Sequence, residues 1–150
     1  MSAFDAEQFL NQEYDSSTDT HVTPVPPGEY QGQVTKVNAR EIMTKDGERI
    51  VMDITWEILD DEVKKVMEMK KVTARQSVFL DLTDEGAIDM SKGKNRQLGL
   101  VREAVGQNAT GKPWNPGMLN GQVAQVTITN DPDKDDPENI YTNVKRVVSI

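Results

Sequence analysis

Residues 49–59 read RIVMDITWEIL, and their alternation decides how the chain folds. Ile50, Met52, Ile54, Trp56 and Ile58 fall on one face of an extended segment, with Arg49, Asp53, Thr55 and Glu57 on the other. A strand of that kind belongs to a sheet with one buried side, and Trp56 is expected in the core. Upstream, the turn signal KDG at 45–47 joins it to a first strand, EYQGQVTKVNAREIM (29–43). In that strand Gly32 offers a place for a bend or bulge, and Tyr30 is expected to pack inward. Downstream, VTARQSVFLDL (72–82) reads as a third strand with Ala74, Val78, Leu80 and Leu82 facing in. The intervening DDEVKKVMEMKK (60–71) fits either a short helix or the tip of a long ribbon.

Beyond the third strand, NRQLGLVREAVG (95–106) is the strongest helix signal. Leu98, Val101 and Val105 recur at helical spacing, Asn95 is placed to cap the start, and Gly106 is placed to end it. GQVAQVTIT (121–129) and NIYTNVKRVVSI (139–150) then read as two last strands around an acidic loop, 131–138. In the last strand Ile140, Val144 and Val148 share the inward parity, with Tyr141, Asn143 and Lys145 outward. Three strands, a helix and two strands is the order of a five-stranded OB-fold barrel, mainly β, whose one helix lies between strands 3 and 4. The folded domain is expected over 28–150. Residues 1–27 are expected to be a flexible acidic tail, in which FDAEQFL fits one or two helical turns with Phe4, Phe9 and Leu10 on one side but is too short to hold a helix alone.

The chain has 150 residues, enough for one domain with a real core, and carries a formal charge of −8. That acidity is segregated. Residues 1–29 hold six acids and no Lys or Arg, and 131–138 adds five acids and one base. The remainder has 14 acids against 16 bases, a mildly basic body, so phosphate contact is not excluded by the total. There are no cysteines, which removes disulfides and thiolate chemistry. The only histidine, His21, falls in the tail with no evident partner, so no His-based catalytic or metal site is expected. GQNATGKP (106–113) lacks the Ser or Thr and the strand-to-helix setting of a phosphate loop. Asp131, Asp133 and Asp135 lack the glycine and glutamate of a calcium loop. The expectation is a non-enzyme without cofactor or metal. With no leader-like start and no run of ~20 apolar residues, a soluble cytoplasmic protein without membrane contact is expected.

Binding a single strand without reading its sequence needs cations along the phosphates and flat side chains for the bases. Parity puts Thr73, Arg75, Ser77 and Phe79 on the outer face of the third strand, and Tyr141 and Lys145 on that of the fifth. Phe79 and Tyr141 either stack bases or pack, respectively, under the tail and at the rim. Bases cluster in three connections: Lys64, Lys65, Lys70 and Lys71; Lys92, Lys94 and Arg96; Lys45 and Arg49. Each cluster is either a phosphate contact or a solubilising face. Trp114, in GKPWNPG, either stacks a base or clamps its loop, with the clamp favoured.

The run of PPGEY, RQSVFLDLT, KGKN, LGLVREAVGQN, GKPW and LNGQVAQVTI…NVKRVV resembles a family of phage-encoded OB-fold single-stranded DNA-binding proteins over about residues 24–150. The resemblance implies sequence-tolerant binding of single-stranded DNA in phage replication or recombination, inside a bacterial host cell, with replication or recombination proteins as further partners. The other reading of the same residues is an OB-like protein-interaction module that binds no nucleic acid. Such proteins commonly end in an acidic tail, whereas this sequence ends NVKRVVSI and carries its acidic segment at the other end. Residues 1–27 are expected to take over that role or to lie across the basic groove.

Overall fold

The computed structural model describes residues 4–20 and 23–150, and the reading of His21 lies outside the described residues. One five-stranded antiparallel sheet dominates, in the order β3-β2-β1-β4-β5. The strands are β1 (Gly28–Thr44), β2 (Gly47–Ile58), β3 (Thr73–Leu80), β4 (Val123–Pro132) and β5 (Ile140–Val148). β1 is long enough to serve two partners. Gly28–Gln33 pairs with β4, and from Gly32 onward the strand pairs with β2. At this handover the chain cannot carry a side chain easily: a Cβ on Gly32 would lie 3.2 Å from both Trp56 Cε3 and Val126 Cγ1. The bulge itself falls three residues later, where Val34 pairs with Trp56 and Lys36 with Thr55, leaving Thr35 as the extra residue. β3 and β5 share no ladder, so the sheet stays open along a seam where these two edges face each other.

The core follows the alternation. Met52, Ile54, Trp56 and Ile58 of β2 are buried with Ala74, Val78 and Leu80 of β3 and Ala124, Val126 and Ile128 of β4. Ile50 is half-buried at the edge of this cluster. Gln76 shares the inner face of β3 and pays for its burial by accepting a 3.0 Å hydrogen bond from Trp56 Nε1. Two inward assignments need correction. Leu82 is 36% exposed, because β3 ends at Leu80 and Leu82 joins a small bridge with Ile88 instead. In β5 the core takes Val144 and Val147, not Val148. The register slips between them, Val144 pairing with Ile128 and Arg146 with Thr127, so Lys145 is the extra residue and parity flips after it.

The excursion 60–71 contains a short helix rather than a ribbon tip: α2 (Asp61–Met67) starts where the Asp60 carboxylate accepts from the Val63 N–H at 3.0 Å and ends at Glu68, at φ +55°. α3 (Arg96–Ala104) packs Leu98, Val101 and Ala104 into the core beside β3 and β5. Gly106, at φ +71°, ends it as the sequence predicts. Asn95 does not cap α3. It sits in the left-handed region, and its side chain accepts from the Asp81 N–H and donates to the carbonyls of Asp81 and Asp89. It therefore ties the 81–95 loop to the end of β3.

The body also starts earlier than Gly28. Val25 is 3% exposed, and its N–H donates to Thr142 Oγ1 at 2.9 Å. The Tyr30 hydroxyl donates to the Pro26 carbonyl at 2.8 Å, and partial burial raises its pKa, as does nearby Asp60. Residues 4–20 are exposed throughout, and they include a single short helix, α1 (Ala6–Asn11), held by an Asp5 cap. No described helix is long and apolar enough to cross a membrane.

Candidate nucleic-acid interface

Register fixes what shares the outer face of the sheet. Three rows run across β1, β2 and β3: Lys36–Thr55–Arg75, Asn38–Asp53–Ser77 and Arg40–Val51–Phe79. Phe79 is 46% exposed, beside a fully buried Val51, so the ring rises from an apolar floor on an otherwise polar face. The Arg49 guanidinium stands 5.6 Å from its centroid, a cation–π arrangement. The same guanidinium lies 3.7 Å from the Asp81 carboxylate.

Asp53 occupies the middle of this face, where an unbalanced carboxylate would repel phosphate. Burial alone would push its pKa up, but hydrogen bonds from Arg40 and Ser77, with the charges of Arg40 and Arg75, outweigh that and hold it below the usual range. The Ser77 hydroxyl donates at 2.9 Å and Arg40 Nε makes an ion pair. Asp53 is thus ionised and neutralised in place, and the outer face presents Lys36 and Arg75 as cations.

The seam between β3 and β5 opens into a groove of about 950 Å³. Arg75 and Ser77 line one wall, Tyr141 and Asn143 the other, with Met67 and Met69 from α2 and the turn after it at the lip. Tyr141 is 45% exposed. Its hydroxyl donates to Asp133 Oδ2 at 2.6 Å, which fixes the ring and raises the tyrosine pKa, with smaller effects of burial and of the charges of Asp133 and Asp136. The same bond is the main reason the Asp133 carboxyl titrates below its usual range. The acidic loop is thereby tied to the groove wall.

The remaining sequence-derived residues divide by location. Lys64, Lys65, Lys70 and Lys71 belong to α2 and the turn that forms the lip, where Lys71 lies 3.8 Å from Glu57. Lys145 is exposed in the β5 bulge, further along the strand and not among the groove-lining residues. Arg49 and Lys94 line a second hollow past Phe79, and Lys92 is exposed in the same loop as Lys94. Trp114 stands apart from the sheet face as the clamp of its loop. Its Nε1 donates to Gln107 Oε1 at 2.9 Å, and the Arg102 guanidinium lies 4.2 Å from its centroid.

Lys36 and Arg40 were not legible as members of this face. Strict alternation from Val34 would turn both inward, and only the extra residue at Thr35 brings them out. Two charged residues at apparently inward positions were the available signal of that bulge. No protein-family model and no curated protein matches this sequence.

Proposed function

We propose that the chain is an OB-type barrel that binds single-stranded DNA without sequence preference, across the outer face of β2 and β3 and into the β3–β5 groove. The observation that carries this reading is one outer face that bears a half-exposed Phe79 with the Arg49 guanidinium beside it, Arg75 two rows away on β3 at the groove wall, and a fixed, half-exposed Tyr141 across the groove. Rings supply stacking for any base and the cations follow the phosphates. The order of strands and helix supports the barrel assignment, with α3 between β3 and β4. The resemblance of residues 24–150 to phage single-stranded DNA-binding proteins supports a role in phage replication or recombination.

Titration of labelled single- and double-stranded oligonucleotides at several salt concentrations tests the proposal. The expected result is single-strand preference with affinity falling steeply as salt rises. A base stacked on an aromatic ring contributes ~1–3 kcal/mol, so Phe79→Ala is expected to weaken binding roughly 5- to 100-fold. The exposed ring leaves the variant folded. No binding at low salt, or binding indifferent to Phe79, sinks the reading and favours a protein-interaction module instead.

The acidic segment competes for the same surface. Thr23 and Val25 line the groove, so the chain enters the body at its rim, and residues 4–20 carry five acids and no Lys or Arg. Because Val25 is a core residue, the informative deletion is 1–22 rather than 1–27. It is expected to tighten oligonucleotide binding roughly threefold to tenfold at low salt by removing a tethered polyanion. Equal affinity of the truncated and full-length chains would exclude competition by the segment.

A further inference from the structure

The cations beyond Phe79 form a track that leaves the sheet. Arg49 and Lys94 line a hollow of about 300 Å³ at the end of β3. Lys94 also lines the next hollow, of about 350 Å³, with Arg96 and Arg102 from the start and body of α3. Arg102 in turn lines a third, of about 550 Å³, with Lys112 and Trp114. Each hollow thus shares residues with the next, and Met90, 68% exposed, borders both the second and the third.

Charge along this track is uneven in a way that favours an anion. Four acids line it against five cations, Arg49, Lys94, Arg96, Arg102 and Lys112. Asp89 accepts from the N–H and hydroxyl of Ser91, Asp81 faces Arg49 and the Asn95 N–H, and Glu103 lies 3.5 Å from Asn108 Nδ2. Glu48 borders only the first hollow, so the cation surplus lies toward the third hollow, which no acid lines. Among the described ion pairs none involves Lys92, Arg96 or Lys112, and all three are exposed. At the far end the Trp114 ring is backed by the buried Arg102, whose Nε is held at 3.0 Å by the Gln107 carbonyl. Cations with free heads, an adaptable methionine and a braced indole are the ingredients of a single-strand path.

We infer that this track is a second segment of the single-strand site, continuing the bound strand from Phe79 over the N-terminal end of α3 to the 106–116 loop. It rests on the sheet-face reading, since the track begins where that face ends. A short oligonucleotide fills the sheet face alone, while a longer one also neutralises Arg96 and Lys112.

The test is the double variant Arg96→Glu/Lys112→Glu in the full chain, titrated with oligothymidylates of about 6 and about 16 nucleotides. For the unaltered protein the longer strand is expected to bind at least about tenfold tighter, with a steeper salt slope. In the double variant that advantage is expected to vanish and the slope for the longer strand to flatten by at least about 1.4, two phosphate contacts at ~0.7 each. Binding of the short strand stays unchanged. Equal loss on both lengths, or no loss on either, overturns the second segment and leaves the sheet-face reading standing. Failure of the unaltered protein to bind even the short strand overturns both.

Discussion

Trp56→Ala is expected to cost about 3–5 kcal/mol of folding stability, the largest effect of any single change considered for this chain. The side chain is completely buried and meets neighbours on three strands: Gln76 on β3 through its indole N–H, Gly32 on β1 and the adjoining Val126 on β4. Truncation therefore opens a cavity and leaves the Gln76 amide oxygen, on a residue only 4% exposed, without its donor. A domain of this size has about 5–15 kcal/mol in total, so about a fifth or more is lost. Trp56→Phe separates the two contributions. It keeps most of the ring volume and removes only the N–H, so the expected loss falls to about 1–3 kcal/mol. Adding Gln76→Leu to Trp56→Phe is expected to restore part of it, because the orphaned polar group goes as well. Urea unfolding of the three variants reads all of this. Equal destabilisation by Trp56→Phe and Trp56→Ala would show that the hydrogen bond, not the packing, dominates.

Arg40→Met is expected to destabilise the fold by about 1–3 kcal/mol at neutral pH, less than a fully enclosed pair because the Arg40 side chain is 46% exposed and solvent screens it. The loss comes from the Asp53 carboxylate, 8% exposed, which keeps the Ser77 hydroxyl but loses its cation. The pH dependence has a definite sign. Asp53 titrates lower in the folded protein than the ~3.9 of a free aspartate, so its contribution is complete above that value. It disappears as pH falls through the depressed folded value, where the carboxyl becomes neutral. The gap in urea midpoint between Arg40→Met and the unaltered chain is therefore expected to be widest near neutrality and to close below about pH 4. A gap independent of pH would assign the effect to lost packing of the Arg40 stem. Asp53→Asn is expected to flatten the acid dependence of stability.

What could be read from the sequence was set by how local each determinant is. Alternation along 49–59 named the inner face of β2, and helical spacing over 95–106 located α3, because both patterns are complete within one element. The positions of the bulges at Thr35 and Lys145 were not fixed by the sequence, since an extra residue has meaning only against a partner strand; only the inward-seeming Lys36 and Arg40 hinted at the first. Each one changed an assignment: the first brought Lys36 and Arg40 to the outer face, and the second exchanged Val148 for Val147 in the core. Asn95 misled for a related reason. An asparagine before a helix caps it when nothing better competes, and here three backbone groups of a distant turn did. Of the candidate site, parity sufficed for Arg75, Phe79 and Tyr141. Only the three-dimensional structure showed Arg75 and Tyr141 to line one groove, and Trp114 to lie off the sheet face with its indole N–H bonded to Gln107.

The seam between β3 and β5 also ranks the backbone amides by how readily they trade protons with solvent. Four strand boundaries are laced by ladders, whereas this one has none, and the strap that enters at Val25 is bonded there to Thr142 of β5. Opening there breaks few hydrogen bonds, so deuterium is expected to enter first along the facing edges of β3 and β5 and last at Gly32–Val34, where the backbone of β1 is engaged from both sides. A strand of DNA lying in the groove would slow the fast set and leave the slow set untouched. Exchange rates along the seam would thus give a label-free footprint of any strand bound there.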